Sequence, residues 1–527
     1  MSAEAAIELI LLLLAIAVAL AYIARRIHVA YPILLVLGGV GLGLVFGLVP
    51  DAPTVELPPE LVFLLFLPPI LFGAAYSTPI RDFKANGRAI GSLAIGLVLF
   101  TTAVVGLVAG ALIPELRWGP AFVLGAIVAP PDAVAATSVL RRLGVPRKVV
   151  TILEGESLVN DASALIAYRV AVAAVMTGSF SALGASVSFV AVGIGGIAVG
   201  LVLGWLVTAV WHKTGDPTLE IVVSLLAPIA AYLAAETLGV SGVLATVTAG
   251  LIAGRRAARV LSPDAHLTGA GVWSIVYFLI NSFVFMLIGL QLPLVVGNLA
   301  SRGAADLVWI GAVVSLAVIV TRIVWIFPAT YLPFRLSARI RANEKPPPRS
   351  SVIVVSWAGM RGAVSLAAAL ALPLHPEPFP QRDLIIYLTF CVILATLVGQ
   401  GLTLPWVIRR VGMVAGTGLE REEALARQTA VDAALDRLDD LAREYPGHLE
   451  LVDQLRARFE HEAAHVSDEI DIGDADRESL DHQAIRSAVN EVQRESIIRL
   501  RDDGVIGDAA LRRVERDLDL EILRTGV

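Results

Sequence analysis

Over residues 1–410 the apolar positions run together in long blocks instead of alternating with polar ones, and each block is closed by Pro, Gly or a charge cluster. A helix needs about 20 apolar residues to cross ~30 Å of hydrocarbon. Blocks of that kind predict thirteen membrane helices, at roughly 5–24, 31–49, 59–76, 88–112, 120–140, 148–176, 184–211, 218–236, 241–254, 269–293, 305–330, 350–373 and 383–410. The ninth is short. From about Gly416 the pattern changes to apolar residues at three- and four-residue spacing among many charges, as in 422–445 and 483–504. That period predicts amphipathic helices facing water. The expected fold is therefore an all-α membrane protein of 13 transmembrane helices, residues 1–410, followed by a cytoplasmic helical domain, residues 411–527.

Charge orients the helices, because cytoplasmic loops collect Lys and Arg. Odd-numbered connections and the start of the tail hold 20 basic residues, and even-numbered connections hold three, Arg117, Arg302 and Arg382. One missed or invented span would move every later loop to the other side and erase this bias. The expectation is an N-terminus outside and a C-terminus in the cytoplasm of a multi-pass cell-membrane protein. Glu4 and Glu8 stand at the start of the first block and Arg25 and Arg26 follow it, the reverse of a secretory signal's basic start.

Composition agrees: 527 residues with 56% hydrophobic, 17% charged and a mean hydropathy of +0.76 exclude an ordinary water-soluble chain. The lone cysteine, Cys391, excludes a disulfide framework and a Cys-rich metal site. Residues 1–410 carry 26 basic against 19 acidic groups, and residues 411–527 carry 15 against 28, so the tail does not suit nucleic acid. In the tail, His461-Glu462-Ala463-Ala464-His465 matches the zinc-protease pattern H-E-x-x-H, with His482 a conceivable third ligand. Without a buried cleft it reads as a solvated helix face.

The informative residues inside the blocks are those that hydrocarbon penalises by at least ~2.5 to 3.5 kcal/mol each at a helix centre. They are Asp132, Glu154, Glu156, Asp161, Arg169, Glu236, Arg322 and Arg361, with no histidine among them. Taken singly, Glu156, Arg169 and Arg322 read equally well as packing ion pairs, and Glu236 as a solvated rim position. In segment six, at about 100° per residue, Glu154, Ser157 and Asp161 share an arc of about 60°, with Glu156 and Asn160 on a second arc. Segment five contains Ala129-Pro130-Pro131-Asp132. Two consecutive prolines remove two donors and push the residues before them out of helical conformation, which breaks the helix in mid-membrane. Such backbone survives there only where it lines a polar cavity. Asp132 stands where it can cap the donors at the start of the second half. In segment twelve, Gly359 and Gly362 flank Met360-Arg361 and permit a second break. Five and twelve are seven apart and cross in opposite directions, the layout of an inverted-repeat secondary transporter at its substrate site.

At these residues the chain resembles the monovalent cation/proton antiporters, in the Asn-Asp branch that includes bacterial and archaeal sodium/proton antiporters and animal sodium/proton exchangers. The matching stretches are Ala129 to Ala136, Glu154 to Asp161 and Met360 to Leu366. The resemblance implies that Asp161 binds the ion and carries the proton, with Ser157 and the backbone at Pro131 and Asp132 assisting. It implies that Asn160 and Asp132 hold the broken helix ends, that Arg361 supplies positive charge at the second break, and that Glu156 pairs with Arg322. Its members suggest a homodimer embedded in lipid, with no cofactor beyond the transported cation and proton. Pro131 and Ala133 stand where the family commonly has Thr and Pro, which leaves the cation open between Na⁺, K⁺ and Li⁺.

A single carboxylate that must be neutralised to cross, by a proton or by a cation, makes exchange obligatory. Asn160 beside it, in place of a second acid, implies one proton per cation and an electroneutral cycle. A K⁺/H⁺ antiporter of the same mechanism is the first alternative. An intramembrane aspartyl protease would want two facing acids and has no use for the double proline. A cation channel would want repeated rings of carbonyls or acids. An ATP-driven pump is disfavoured, since no G-x-x-x-x-G-K-[ST] loop occurs.

Overall fold

The structure, a computed structural model, describes residues 3–48, 62–299, 302–343, 346–373, 377–413 and 418–470, with scattered positions beyond 491. Among the described residues the chain is helical, without a β-strand. Ten helices among the described residues are long and apolar enough to cross a membrane. The other three expected ranges are helical too. Segment three spans 62–77 and opens with a π turn, Val62–Phe66. Segment nine, Gly242–Val260, ends in charge, and segment twelve is two short helices, Arg349–Trp357 and Ala363–Leu370.

Local chemistry sets the ends. Asp216 caps Pro217–Thr237 by accepting from the Thr218 and Leu219 amides, with proline at the first helical position. The long helices Arg147–Thr177 and Ala182–Thr214 stop at Gly178 and Gly215, whose φ of 67° and 60° a residue with a Cβ rarely adopts. In lipid no hydrophobic force drives helices together, so close packing must. Segments two and ten achieve it where Gly39 and Gly289 face each other, and a Cβ on either would strike the other's backbone. Segment four packs along the first half of segment five, seven along nine, and nine against three.

The chain separates into two compact units, Met1–Ala415 and Gly416–Val527. In the second, Gly418–Glu444 and Leu449–Ile470 pack on each other, and Arg456 meets Asp439 at 2.5 Å. His461, Glu462 and His465 lie on the second of these helices, but their side chains are outside the described residues, as is His482 and most of 483–504.

Candidate functional site

Segment five folds as two half-helices, Trp118–Val128 and Ala133–Arg142, separated by a break over Ala129 to Asp132 in which Ala129 keeps helical dihedrals and Asp132 is extended. The prolines and Asp132 do this together. Asp132 is the N-cap of the second half, its carboxylate accepting from the Val134 amide at 2.8 Å. Asn160, fully buried on segment six, donates to the Pro131 carbonyl at 3.1 Å. The two interrupted helices meet directly: the Asp132 amide donates to the Met360 carbonyl at 2.6 Å. The first half of segment five packs on the second half of segment twelve. A Cβ on Gly362 would collide with the Asp132 carboxylate, so glycine is needed there for close approach.

Each break leaves carbonyls unsatisfied at the end of its first half, and each is met by a buried arginine. Arg361, 0% exposed, donates from Nε to the Val128 carbonyl at 3.1 Å and from Nη1 to the Gly359 carbonyl. Its positive charge therefore reaches the segment-five break as well as its own. Its backbone amide donates to Thr396 Oγ1 at 3.0 Å, inside a π turn of segment thirteen, Ala395–Gln400. Arg322 on segment eleven donates from Nε and Nη2 to the Val355 carbonyl at 3.2 and 3.1 Å. Its other contact is a two-pronged bond to Glu156, at 2.6 and 2.8 Å, with both side chains at most 1% exposed. Sealed from water, a carboxylate and a guanidinium persist only as such a pair.

Segment six runs unbroken from Arg147 to Thr177. The face that carries Glu154, Ser157 and Asp161 lines a cavity of about 370 Å³. Pro131, Asp132, Ser365, Asn281, Tyr31 and Tyr277 line it as well. Asp161 is 6% exposed. The wall continues to Glu154 and Arg141, which pair at 2.6 Å, and Arg141 is well exposed. The carboxylate thus lies in a cavity, mostly apolar in its lining but with polar groups clustered at the helix break, that reaches Arg141 at the basic end of segment five. Just past Asp161, Val98, Ala129 and Ala164 pack as a small buried apolar cluster. Around Asp161 the lining offers oxygen ligands, the Asp161 and Asp132 carboxylates and the Ser157 hydroxyl among them, which suit a hard cation. The Pro131 carbonyl accepts from Asn160 and has capacity for a second partner.

Asp161, Ser157, Asp132 and Pro131 therefore share one cavity, while Asn160, Arg361 and the Glu156–Arg322 pair brace the helix breaks around it. Arg169 and Glu236, read one at a time in the sequence, pair with each other at 2.9 Å, and Glu236 also accepts from the Gly242 amide. Missed entirely were Thr396, Ser365, Tyr31, Asn281 and Tyr277. The Tyr277 hydroxyl fills the space beside Gly73, where a Cβ would overlap it, and has no hydrogen-bond partner among the described residues. An isolated hydroxyl or amide in an apolar block carries no periodic signal, so only the glycine could have hinted at it.

The family model described as sodium/hydrogen exchanger, transmembrane, matches residues 11–410. The chain belongs to that family. Within the exchanger family it is 36% identical over 507 residues to an uncharacterized Na⁺/H⁺ exchanger of Mycobacterium tuberculosis, covering 94% of this chain and 92% of the relative. It is 33% identical over 413 residues to a sodium, potassium, lithium and rubidium/H⁺ antiporter of Bacillus pumilus, covering 76% of this chain and 61% of that one. The fold is similar to that of the sodium proton antiporter MjNhaP1 from Methanocaldococcus jannaschii, with a TM-score of 0.62, 20% identity, and coverage of 79% of this chain and 100% of that one. Exchangers are transporters and not enzymes, which removes the protease reading.

Proposed function

We propose that this exchanger moves Na⁺, or another monovalent cation, against H⁺ across the cell membrane by making the two compete for Asp161. The observation that carries the proposal is the placing of Asp161, Ser157, Asp132 and Pro131 around one cavity beside two interrupted helices. A bare carboxylate is expensive to carry through the hydrocarbon-like barrier on the far side, whereas the protonated or cation-bound form is neutral. Only the neutral forms complete the crossing, so inward and outward movements are coupled. One carboxylate beside Asn160 carries one charge, which makes the stoichiometry one to one and the cycle electroneutral. Thirteen crossings put the termini on opposite sides and the basic bias puts the N-terminus outside, so the cavity mouth at Arg141 faces the cytoplasm. The working unit is a homodimer in lipid, as the family resemblance implies.

Proteoliposomes clamped at different membrane potentials test the stoichiometry: exchange at a rate independent of voltage is expected, and a rate that follows voltage refutes it. In the same vesicles Asp161→Asn abolishes cation-dependent proton flux with folding intact. Near-normal flux in that variant would overturn the site. Pro131, which keeps a carbonyl but lacks a hydroxyl, leaves the cation open, so a K⁺/H⁺ antiporter of the same mechanism is the second reading. Offering Na⁺, K⁺ and Li⁺ in turn decides between the two.

A further inference from the structure

Glu154 and Arg141 stand at the mouth of the cavity, and neither is used by exchange at Asp161 as described so far. Their environments are unequal. The Glu154 side chain is 21% exposed and sits in the cavity wall, whereas that of Arg141 is 65% exposed. One guanidinium nitrogen meets one carboxylate oxygen, at 2.6 Å. A largely hydrated arginine leaves such a pair at little cost, and a half-buried carboxylate on a rigid helix cannot follow it. Two basic residues open segment six, Arg147 and the exposed Lys148, and Arg147 is engaged by Asp82 at 3.6 Å. On the same helix face, Ser157 and Asp161 follow Glu154 into the cavity, and seven residues at 1.5 Å each place Asp161 about 10 Å further in.

Resting on the exchange reading above, we propose that Glu154 is an entry site that first holds the incoming monovalent cation, and that the Arg141 guanidinium is its tethered occupant when no cation is there. The arriving cation displaces Arg141 into water, then passes along Ser157 to Asp161. Arg141 remains beside the last carbonyls of its own half-helix, where positive charge is favourable. Arg141 thereby lowers the apparent affinity for cations on this face, and Glu154 raises it.

The test is cation-dependent proton flux with Na⁺ and with K⁺ in everted membrane vesicles, where the proposed mouth faces the medium. Glu154→Gln is expected to raise the apparent KM about threefold and Arg141→Gln to lower it by about the same factor. Arg141→Lys keeps the wild-type KM. A pair that merely braces segments five and six gives a different result: both neutral variants shift KM in the same direction, and the exchange of partners in the double variant Arg141→Glu/Glu154→Arg restores the wild-type value. Either outcome, in vesicles where the wild type exchanges normally, overturns the entry site and leaves the role of Asp161 standing. Absence of flux in the wild type would instead overturn the exchange reading, and the entry site with it.

Discussion

Segment six carries two glutamates two residues apart, each bound to an arginine at 2.6 Å, and the two pairs do opposite things. Glu156 and Arg322 are sealed from water, joined by two bonds, and the arginine also holds the Val355 carbonyl. Glu154 and Arg141 share a single bond at the cavity mouth. Identical chemistry therefore gives a fixed brace in one case and an exchangeable contact in the other. What separates them is solvent: desolvated charges cannot part without stranding one another, and hydrated ones can.

The sharpest break of this contrast is single removal at the sealed pair. Glu156→Gln or Arg322→Gln is expected to lose about 3–5 kcal/mol of stability, with partial recovery when both are replaced by apolar residues. Thermal unfolding of the purified protein reads this, and a strictly additive double variant would mean the two do not act as a pair. Next in size is Gly362→Ala, whose new Cβ must push the Asp132 carboxylate aside. Overpacking of that kind costs about 1–3 kcal/mol, and the displaced cap should depress flux more than it depresses stability. Unimpaired flux in that variant would separate Asp132 from the working site. Smaller still is Arg169→Gln, since Arg169 and Glu236 are 51% and 29% exposed and such pairs contribute about 0–1 kcal/mol. A loss as large as that at Glu156 would erase the distinction between sealed and wet pairs. Smallest is ionic strength: added choline chloride should reduce the KM difference between wild type and Arg141→Gln through screening, while leaving the stability effect of Glu156→Gln unchanged.

The sequence made the break in segment five readable because proline acts locally: Pro130 and Pro131 remove donors whatever surrounds them. The break in segment twelve was fainter, since Gly359 and Gly362 only permit unwinding, and what imposes it is the Met360 carbonyl bonded to the Asp132 amide across the gap. Hydropathy located the membrane helices and charge bias proposed their direction, because both act over whole segments. Pairings between segments were not readable from pattern. Glu156 with Arg322 came from resemblance alone, and Arg169 with Glu236 and Arg141 with Glu154 came from neither. Nor do the π turns of segments four and thirteen show in a hydrophobic period, although one offers the Ser92 carbonyl to Trp325 and the other presents Thr396 to the Arg361 amide. These depend on which faces meet, and a single sequence does not encode that openly.

Gly73 and Tyr277 lie some two hundred positions apart in the chain, yet one phenol occupies the volume that a side chain at the first would need. The two sites are therefore one decision made twice. Among relatives, a bulkier residue at the former should travel with a shorter one at the latter, and a laboratory change at either alone should be mended by the matching change at the other.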